Sequence, residues 1–259
     1  MSTERKKEAF ARLLKIMDEL REQCPWDKEQ TMQSLRHLTL EEVYELSDAI
    51  LQSDTINIKK ELGDLLLHLV FYSRIASESN QFDIADVIDS LCEKLIQRHP
   101  HIYGDVKVSG QEEVKQNWEK LKLKEGNRSV LSGVPKGLPA LVKAIRIQEK
   151  ARGVGFDWEN KTQVWDKVKE EIQEFQEACE PGETKADKME EEFGDVLFAM
   201  INYARFLNIN PEDALEKTNL KFIRRFSYLE NKITAQGKKI GEVSLNEMES
   251  LWQEAKKLE

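Results

Sequence analysis

The chain carries the same acidic pattern twice, built from residue types that bind metal ions. The first half of the pattern is Glu-Glu-x-x-Glu, and the second half is Glu-x-Gly-Asp. The halves begin at Glu41 and Glu61 in the first copy, and at Glu170 and Glu192 in the second. Residues three apart on a helix lie on one face, so each copy can direct four carboxylates from two helices towards one point. Carboxylate oxygens suit hard divalent cations such as Mg²⁺. The pattern therefore predicts a metal site in each copy.

The predicted metal ligands are the carboxylates spaced three residues apart in each copy. In the second copy they are Glu171, Glu174, Glu192 and Asp195, and a second candidate set in the first copy is Glu42, Glu45, Glu61 and Asp64. The alternative is a solvated acidic face, which is common in highly charged chains. Two observations weigh against it. The pattern recurs in order, and each second half continues into a largely apolar run, residues 65–71 and 196–201.

A glycine recurs at the same place in both copies. Gly63 and Gly194 lie inside predicted helices, where glycine costs about 1 kcal/mol relative to alanine. Its repeated use suggests the close approach of a neighbouring helix or a ligand, and a simple packing notch is the alternative.

Basic residues accompany each acidic set and could bind phosphate. Residues 94–99 follow the first set and residues 221–226 follow the second, while Lys167 and Lys188 each lie four positions before a predicted ligand. Residues four apart share a helix face, so these cations could contact a polyphosphate held at the metal. Solvated basic faces and ion pairs within one helix are the alternatives.

Helical periodicity runs through most of the chain and must position these residues. Apolar spacing predicts an opening helix over 10–20, a break at 24–27, and a helix from Thr39 to Leu51 with Glu42 as its capping-box partner. The further predicted helices are 58–77, 84–98, 141–152, 164–178, 188–207 and 211–233. No segment alternates with the period of a strand. The sequence therefore predicts an all-α protein.

The order of elements repeats after a segment rich in turn-forming residues. Glycine and proline are concentrated in residues 124–139, which favours a linker there. The sequence predicts two tandem helical-bundle units, an N-terminal unit over 1–123 and a C-terminal unit over 140–259.

Composition narrows the class of protein. A net charge of −9 argues against a general nucleic-acid binder. Three separated cysteines, Cys24, Cys92 and Cys179, support neither a zinc site nor a disulfide framework and favour a reducing compartment. The polar N-terminus is unlike a signal peptide, and the longest apolar run, 65–72, is too short to span a bilayer. We therefore expect a cytoplasmic protein without nucleic-acid polymer or membrane partners.

The combined motifs resemble those of the MazG family of nucleoside triphosphate pyrophosphohydrolases. Besides the acidic pattern, the resemblance is carried by Cys-Pro-Trp-Asp at 24–27, Arg-His-Pro-His at 98–101 and Val-Gly-Phe-Asp-Trp at 154–158. It implies an all-α fold of helical bundles that pair into homodimers. It also implies Mg²⁺-dependent hydrolysis of a nucleoside triphosphate to the monophosphate and pyrophosphate, with Mn²⁺ as a substitute metal and the C-terminal copy active. Carried over to this chain, the metal ligands are the second acidic set, and the nucleotide site is lined by Lys167, Lys188, Lys221, Arg224, Arg225 and Trp252.

Comparing the two copies independently favours the second one. Aligning them places Asn202 opposite Phe71, and two further differences pair Asn219 with Cys92 and Arg224 with Gln97. The first copy keeps its carboxylates but lacks three polar groups that could contact a nucleotide. Lys94 and Arg98 remain there, so the activity of the first copy stays open.

Three hypotheses follow from these patterns. The first is an enzyme that cleaves the α–β bond, with Glu170 or Glu171 taking a proton from water, broad acceptance of bases and a role in controlling the nucleotide pool. The second is a regulatory module that senses nucleotides or docks a protein without hydrolysis. The third, a purely structural helical protein, is the least favoured because the acidic pattern is repeated so closely.

Overall fold

The computed structural model describes residues 2–110, 113–114, 117–118, 129–180 and 186–258. Within these ranges every regular element is a helix, which confirms the all-α prediction. The chain divides into two compact units, Met1–Val108 and Ser109–Glu259. The predicted linker at 124–139 begins within 119–128, which lies outside the described residues, so the predicted boundaries stay a prediction.

The N-terminal unit is built around two long helices that pack along their lengths. Its helices are α1 (Thr3–Gln23), α2 (Pro25–Glu29), α3 (Met32–Leu51), α4 (Thr55–Glu78), α5 (Ile84–Arg98) and α6 (Pro100–Tyr103). Its core joins Met17 of α1, Leu35 of α3 and Val70 and Phe71 of α4, all nearly inaccessible to solvent. The antiparallel pair α3 and α4 carries the first acidic set.

The predicted start of the third helix at Thr39 is wrong. The helix begins at Met32, because Thr31 and Ser34 form a reciprocal capping box that satisfies the first free backbone N–H groups. Thr39 lies inside α3 instead. Its hydroxyl oxygen lies 3.1 Å from the Leu35 carbonyl, 2.6 Å from His68 Nδ1 and 2.6 Å from the Tyr72 hydroxyl. Glu42 therefore has no capping role, and Thr39 ties α3 to α4.

The predicted break at 24–27 is present, because α1 ends at Gln23 and the short helix α2 begins at Pro25. Arg21 fixes the shape of this segment. Its guanidinium donates to the carbonyl oxygens of Asp27, Lys28 and Gln30, the last two at 2.9 and 3.0 Å. It also makes a two-point contact with Glu78, at 2.7 and 2.9 Å. The turn between α1 and α3 is thus held to the end of α4.

The C-terminal unit repeats the paired-helix arrangement. Its elements are a 3₁₀ turn (Val130–Gly133), α7 (Ala140–Gly153), α8 (Lys161–Ala178), α9 (Ala186–Phe206), α10 (Pro211–Ala235), a second 3₁₀ turn (Ile240–Glu242) and α11 (Leu245–Lys257). Helices α8 and α9 pack along their lengths and carry the second acidic set, while α10 packs chiefly against α11. Sequence reasoning missed α11. Apolar residues three and four positions apart signal it: Met248, Leu251, Trp252 and Ala255.

None of the described helices combines the length and hydropathy that crossing a membrane requires.

Lowering the pH should loosen the N-terminal unit through His68. Burial lowers the pKa of His68 below its usual value, against an opposing effect of Asp64. The folded form therefore holds a proton less well than the unfolded chain, and this contribution to stability is complete above about pH 6.5 and is lost as the pH falls below it. We expect amides of α3 and α4 to exchange faster at about pH 5.5 than at about pH 7.5, after correction for intrinsic rates. His68→Gln, which cannot titrate, should show a smaller change by hydrogen-exchange mass spectrometry. Equal changes in both proteins would exclude His68 as the cause.

Candidate active site

Three carboxylates of the second acidic set converge between α8 and α9. Glu171, Glu192 and Asp195 each place a carboxylate oxygen within 4.8 Å of the others. Glu171 lies on the same face of α8 as the buried Val164 and Val168, so packing of that face points it towards α9. The apolar stripe that holds the two helices together therefore also sets the position of the acidic group.

The spacing of these oxygens fits a divalent cation. An octahedral Mg²⁺ site has metal–oxygen distances of about 2.1 Å, so opposite ligand oxygens lie about 4.2 Å apart. Three oxygens within 4.8 Å of one another need only a small contraction to reach such a site. Their chemistry also fits, because all three are carboxylates.

The carboxylates of the acidic group repel one another. Burial raises the pKa of Glu192, and Glu174 and Asp195 raise it further, while Lys188 opposes them. Glu174 and Lys188 therefore lie within electrostatic reach of Glu192, although Glu174 is not one of the three converging carboxylates. Like charges held this close destabilise one another, and a bound cation would remove that cost.

Lys167 lies at the edge of the same group. Its ammonium contacts Glu170 and Glu171, each at 2.8 Å. Hydrogen bonds to Glu170 and then Glu171 raise the pKa of Lys167 well above its usual value, so it is a permanent cation. The two glutamates predicted as proton acceptors thus share one charged partner.

The first acidic set converges as well, and a different lysine lies beside its carboxylates. Glu42, Glu45 and Glu61 bring carboxylate oxygens within 4.8 Å of one another. The Lys60 ammonium lies 3.0 Å from Glu61, 3.7 Å from Asp64 and 3.8 Å from Glu45. At the aligned position the second copy has Glu191. Sequence reasoning missed this charge reversal, which was visible as Lys-Glu-Leu-Gly-Asp against Glu-Glu-Phe-Gly-Asp.

The other predicted nucleotide-site residues lie on α9, α10 and α11. On α10, Asn219 is exposed and donates to Glu216 at 3.0 Å, and Lys221 and Arg224 follow it on the same helix. The Arg225 guanidinium lies 5.7 Å from the centre of the Trp252 ring, so these two residues come together between α10 and α11. Asn202 of α9 accepts hydrogen bonds from Arg205. The metal and substrate roles of all these residues stay predictions.

The recurring glycines have no packing role within the part of the chain that the structure describes. A Cβ built at Gly63 or Gly194 meets no atom within 4 Å. The interpretation that a neighbouring helix of this chain comes close, or that the glycine forms a packing notch, is therefore wrong for the described residues. The close approach of a ligand stays a prediction.

The fold is all-α, and each of its two helix pairs presents converging carboxylates. The family model for the MazG nucleotide pyrophosphohydrolase domain matches the chain twice, over residues 30–103 and 160–229. These ranges contain α3–α5 and α8 to most of α10, including both acidic sets. The chain belongs to the MazG family, which confirms the resemblance.

Relatives at similar levels of identity cover almost the whole chain. The nucleoside triphosphate pyrophosphohydrolase of Escherichia coli (strain K12) is 43% identical over 255 residues, covering 96% of this chain and 97% of that protein. A Thermotoga maritima protein, nucleoside triphosphate pyrophosphohydrolase/pyrophosphatase MazG, is 43% identical over 252 residues, covering 95% of each. The uncharacterized protein YabN of Bacillus subtilis (strain 168) is 46% identical over 259 residues, covering 96% of this chain and 52% of YabN. The two-copy arrangement is thus shared with full-length relatives.

Proposed function

We propose that this protein hydrolyses nucleoside triphosphates at the α–β bond, releasing the nucleoside monophosphate and pyrophosphate. The observation that carries the proposal is the convergence of Glu171, Glu192 and Asp195 between two packed helices. Near-full-length relatives named as nucleoside triphosphate pyrophosphohydrolases support it. The regulatory alternative, which binds nucleotides without cleaving them, has no comparable support in the C-terminal unit.

In this proposal Glu171, Glu192 and Asp195, with Glu174 beside them, hold Mg²⁺ or Mn²⁺. When bound, the ion neutralises the triphosphate and makes a water molecule more acidic. The proton of the attacking water passes to a carboxylate oxygen of Glu170 or Glu171. Lys167 contacts both carboxylates and keeps them in place for that transfer.

The basic residues of the C-terminal unit supply the remaining charge stabilisation. Lys188 and Lys167 flank the acidic group, while Lys221, Arg224 and Arg225 stabilise negative charge on the transferred and leaving phosphates. Trp252 and the asparagines bind the nucleoside. None of these groups identifies a particular base. We therefore propose broad acceptance of bases and a role in controlling the nucleotide pool.

We also propose that the protein works in the cytoplasm on free nucleotides. Cys24, Cys92 and Cys179 are all free thiols, which suits a reducing compartment. The net charge of −9 disfavours long polyanions, whereas a small triphosphate can be carried by the bound cation.

The products of hydrolysis test the proposal directly. With Mg²⁺ and each nucleoside triphosphate in turn, we expect equal amounts of monophosphate and pyrophosphate, separated by ion-exchange chromatography. Glu174→Ala should lower kcat by about 100-fold or more, because it removes a carboxylate that helps to hold the cation, and the cation neutralises the transferred phosphate. Orthophosphate as the sole phosphate product would exclude α–β cleavage. A loss of activity in Glu45→Ala instead of Glu174→Ala would move the reaction to the N-terminal unit.

The N-terminal acidic set is better suited to a role without hydrolysis. The Lys60 ammonium already contacts Glu61 and lies near Asp64 and Glu45, so it neutralises part of the charge that would attract a divalent ion. We propose that Lys60 weakens metal binding there, which leaves one strong metal site in each chain.

Removing the Lys60 charge should create a second metal site. Wild-type protein titrated with Mn²⁺ should show one tight site per chain by electron paramagnetic resonance, and Lys60→Gln should show two, because Coulomb repulsion of the ion is removed. Lys59→Gln removes the same charge from the neighbouring exposed position and should keep one. Two tight sites in the wild type would contradict the proposal, as would one site in Lys60→Gln.

A homodimer would cover an apolar stripe that both units expose. The stripe is formed by residues at corresponding positions of α4 and α9, namely Leu62, Leu66 and Leu69 in one unit and Phe193, Leu197 and Met200 in the other. These positions are between 39% and 55% exposed. Burying such side chains contributes about 25 cal/mol per Å², and we propose that a second copy of this chain provides the cover.

The mass in solution tests the homodimer. Light scattering coupled to size exclusion should give twice the chain mass of 30.1 kDa. Leu197→Glu, which places a charge in the stripe, should shift the protein towards monomer. A monomeric wild type would refute the pairing.

A further inference from the structure

Asn202 is held in a single orientation by a neighbouring guanidinium. The Asn202 Oδ1 atom accepts from Arg205 Nε at 3.1 Å and from a terminal nitrogen of Arg205 at 2.8 Å. A guanidinium only donates hydrogen bonds, so the oxygen of the amide must face it. The NH₂ group of Asn202 therefore faces the other way, and no hydrogen-bond acceptor among the described residues contacts it.

Arg205 is itself fixed from the loop that follows α7. Its other terminal nitrogen donates to Asp157 Oδ2 at 2.8 Å, and the nitrogen that contacts Asn202 also contacts Asp157 Oδ1. The ion pair is mostly buried, with the two side chains 18% and 22% exposed. The guanidinium also lies over the Phe206 ring, 4.6 Å from its centre. A two-point contact with a carboxylate fixes the plane of the guanidinium. Asp157 therefore fixes the orientation of the Arg205 guanidinium, and Arg205 in turn fixes the orientation of the Asn202 amide.

The N-terminal unit shows what the same arginine does without an asparagine beside it. Arg74 aligns with Arg205, but Phe71 stands at the position of Asn202 and is buried in the core. Arg74 binds Asp18 at 2.7 Å and Glu78 at 3.2 Å instead. The aligned arginine thus forms ion pairs in both units. At these two aligned and described positions, only the C-terminal unit places an amide beside the arginine.

Asn202 lies on the same helix as two of the converging carboxylates of the C-terminal unit. It follows Asp195 by two helical turns on the same face of α9, which places it about 10 Å further along the helix axis. The proposed reaction places the α-phosphate at the carboxylates, and the nucleoside is attached directly to that phosphate and extends away from it. The donor of Asn202 therefore lies at a distance along α9 that the nucleoside can reach.

We propose that Arg205 and Asp157 are positioning residues that fix the amide of Asn202 as a hydrogen-bond donor to an acceptor on the nucleoside, a ribose or base oxygen or a ring nitrogen. This inference rests on the proposed function, because it takes a nucleotide to be the ligand. It assigns Arg205 no contact with the substrate. Its effect passes through the orientation of Asn202.

Steady-state kinetics on the full chain separate positioning from folding. Arg205→Met lets the amide rotate, and Asn202→Asp keeps the partner of Arg205 but replaces the NH₂ donor by an acceptor. Each should raise KM by about three- to tenfold with kcat nearly unchanged, because a hydrogen bond formed equally in the ground and transition states is lost. The KM of the double variant should be no higher than that of the single variant with the higher KM, since both substitutions act on one contact.

Arg74→Met is the matched control, because it removes the aligned arginine and its ion pairs from the other unit. It should lower thermal stability, as Arg205→Met does, and leave KM unchanged. Asp157→Asn weakens only the contact between residue 157 and Arg205, and it should raise KM less than Arg205→Met. If Arg205→Met does not fold, Arg205→Lys decides the question, since lysine keeps the charge but cannot hold both neighbours at once. An unchanged KM in the folded arginine variant, or an equal rise in Arg74→Met, would overturn the inference.

A measurement that needs no turnover separates this inference from the proposed function. In protein labelled with ¹⁵N-asparagine, the side-chain NH₂ signals of Asn202 are those missing from Asn202→Asp. They should shift when an α,β-methylene nucleoside triphosphate and Mg²⁺ are added, and Arg205→Met should abolish that shift. A shift in a wild type that releases no pyrophosphate would support the positioning role while refuting the proposed reaction. Pyrophosphate release with no shift would leave the proposed reaction standing and refute the positioning role.

Discussion

The packing of two acidic helices against each other is the constraint on which the rest of this structure depends. Burial of Val164, Val168 and Ala199 brings α8 and α9 together, and the same contact forces Glu171, Glu192 and Asp195 to within 4.8 Å. Hydrophobic burial contributes enough free energy to hold like charges at this distance. The packing of α8 against α9 therefore sets the spacing of these carboxylates.

The two units differ in the cations that offset repulsion among their carboxylates. In the N-terminal unit a covalently attached ammonium, Lys60, lies among the carboxylates. In the C-terminal unit Lys167 contacts one side of the group, and Glu191 stands where the other unit has its lysine. The two acidic sets therefore lie in different electrostatic environments, because the charged side chains around them differ at aligned positions.

Much of this organisation could be predicted from the sequence, for a physical reason. Helical periodicity is local, so the helix pairs and the faces that carry Glu171, Glu192 and Asp195 were within reach of pattern analysis. Contacts between helices were not. Sequence patterns predict Thr39 as a cap because its contacts with His68 and Tyr72 of α4 depend on tertiary packing. The hydrogen bonds from Arg205 to Asn202 likewise depend on Asp157, which lies in a distant loop. The proximity of Lys60 on α4 to Glu45 on α3 also depends on tertiary packing, so the sequence does not predict it.

The contact of Arg21 with the segment after α1 has a consequence for how sequence can vary. Arg21 binds backbone carbonyls of Asp27, Lys28 and Gln30 rather than their side chains. A carbonyl is present whatever residue occupies a position, so most substitutions at these three sites leave the bonds intact. The path of the chain there is encoded at position 21 and at Glu78, remote from the residues that follow it. Evolution is accordingly free to change the outward chemistry of this turn without changing its shape.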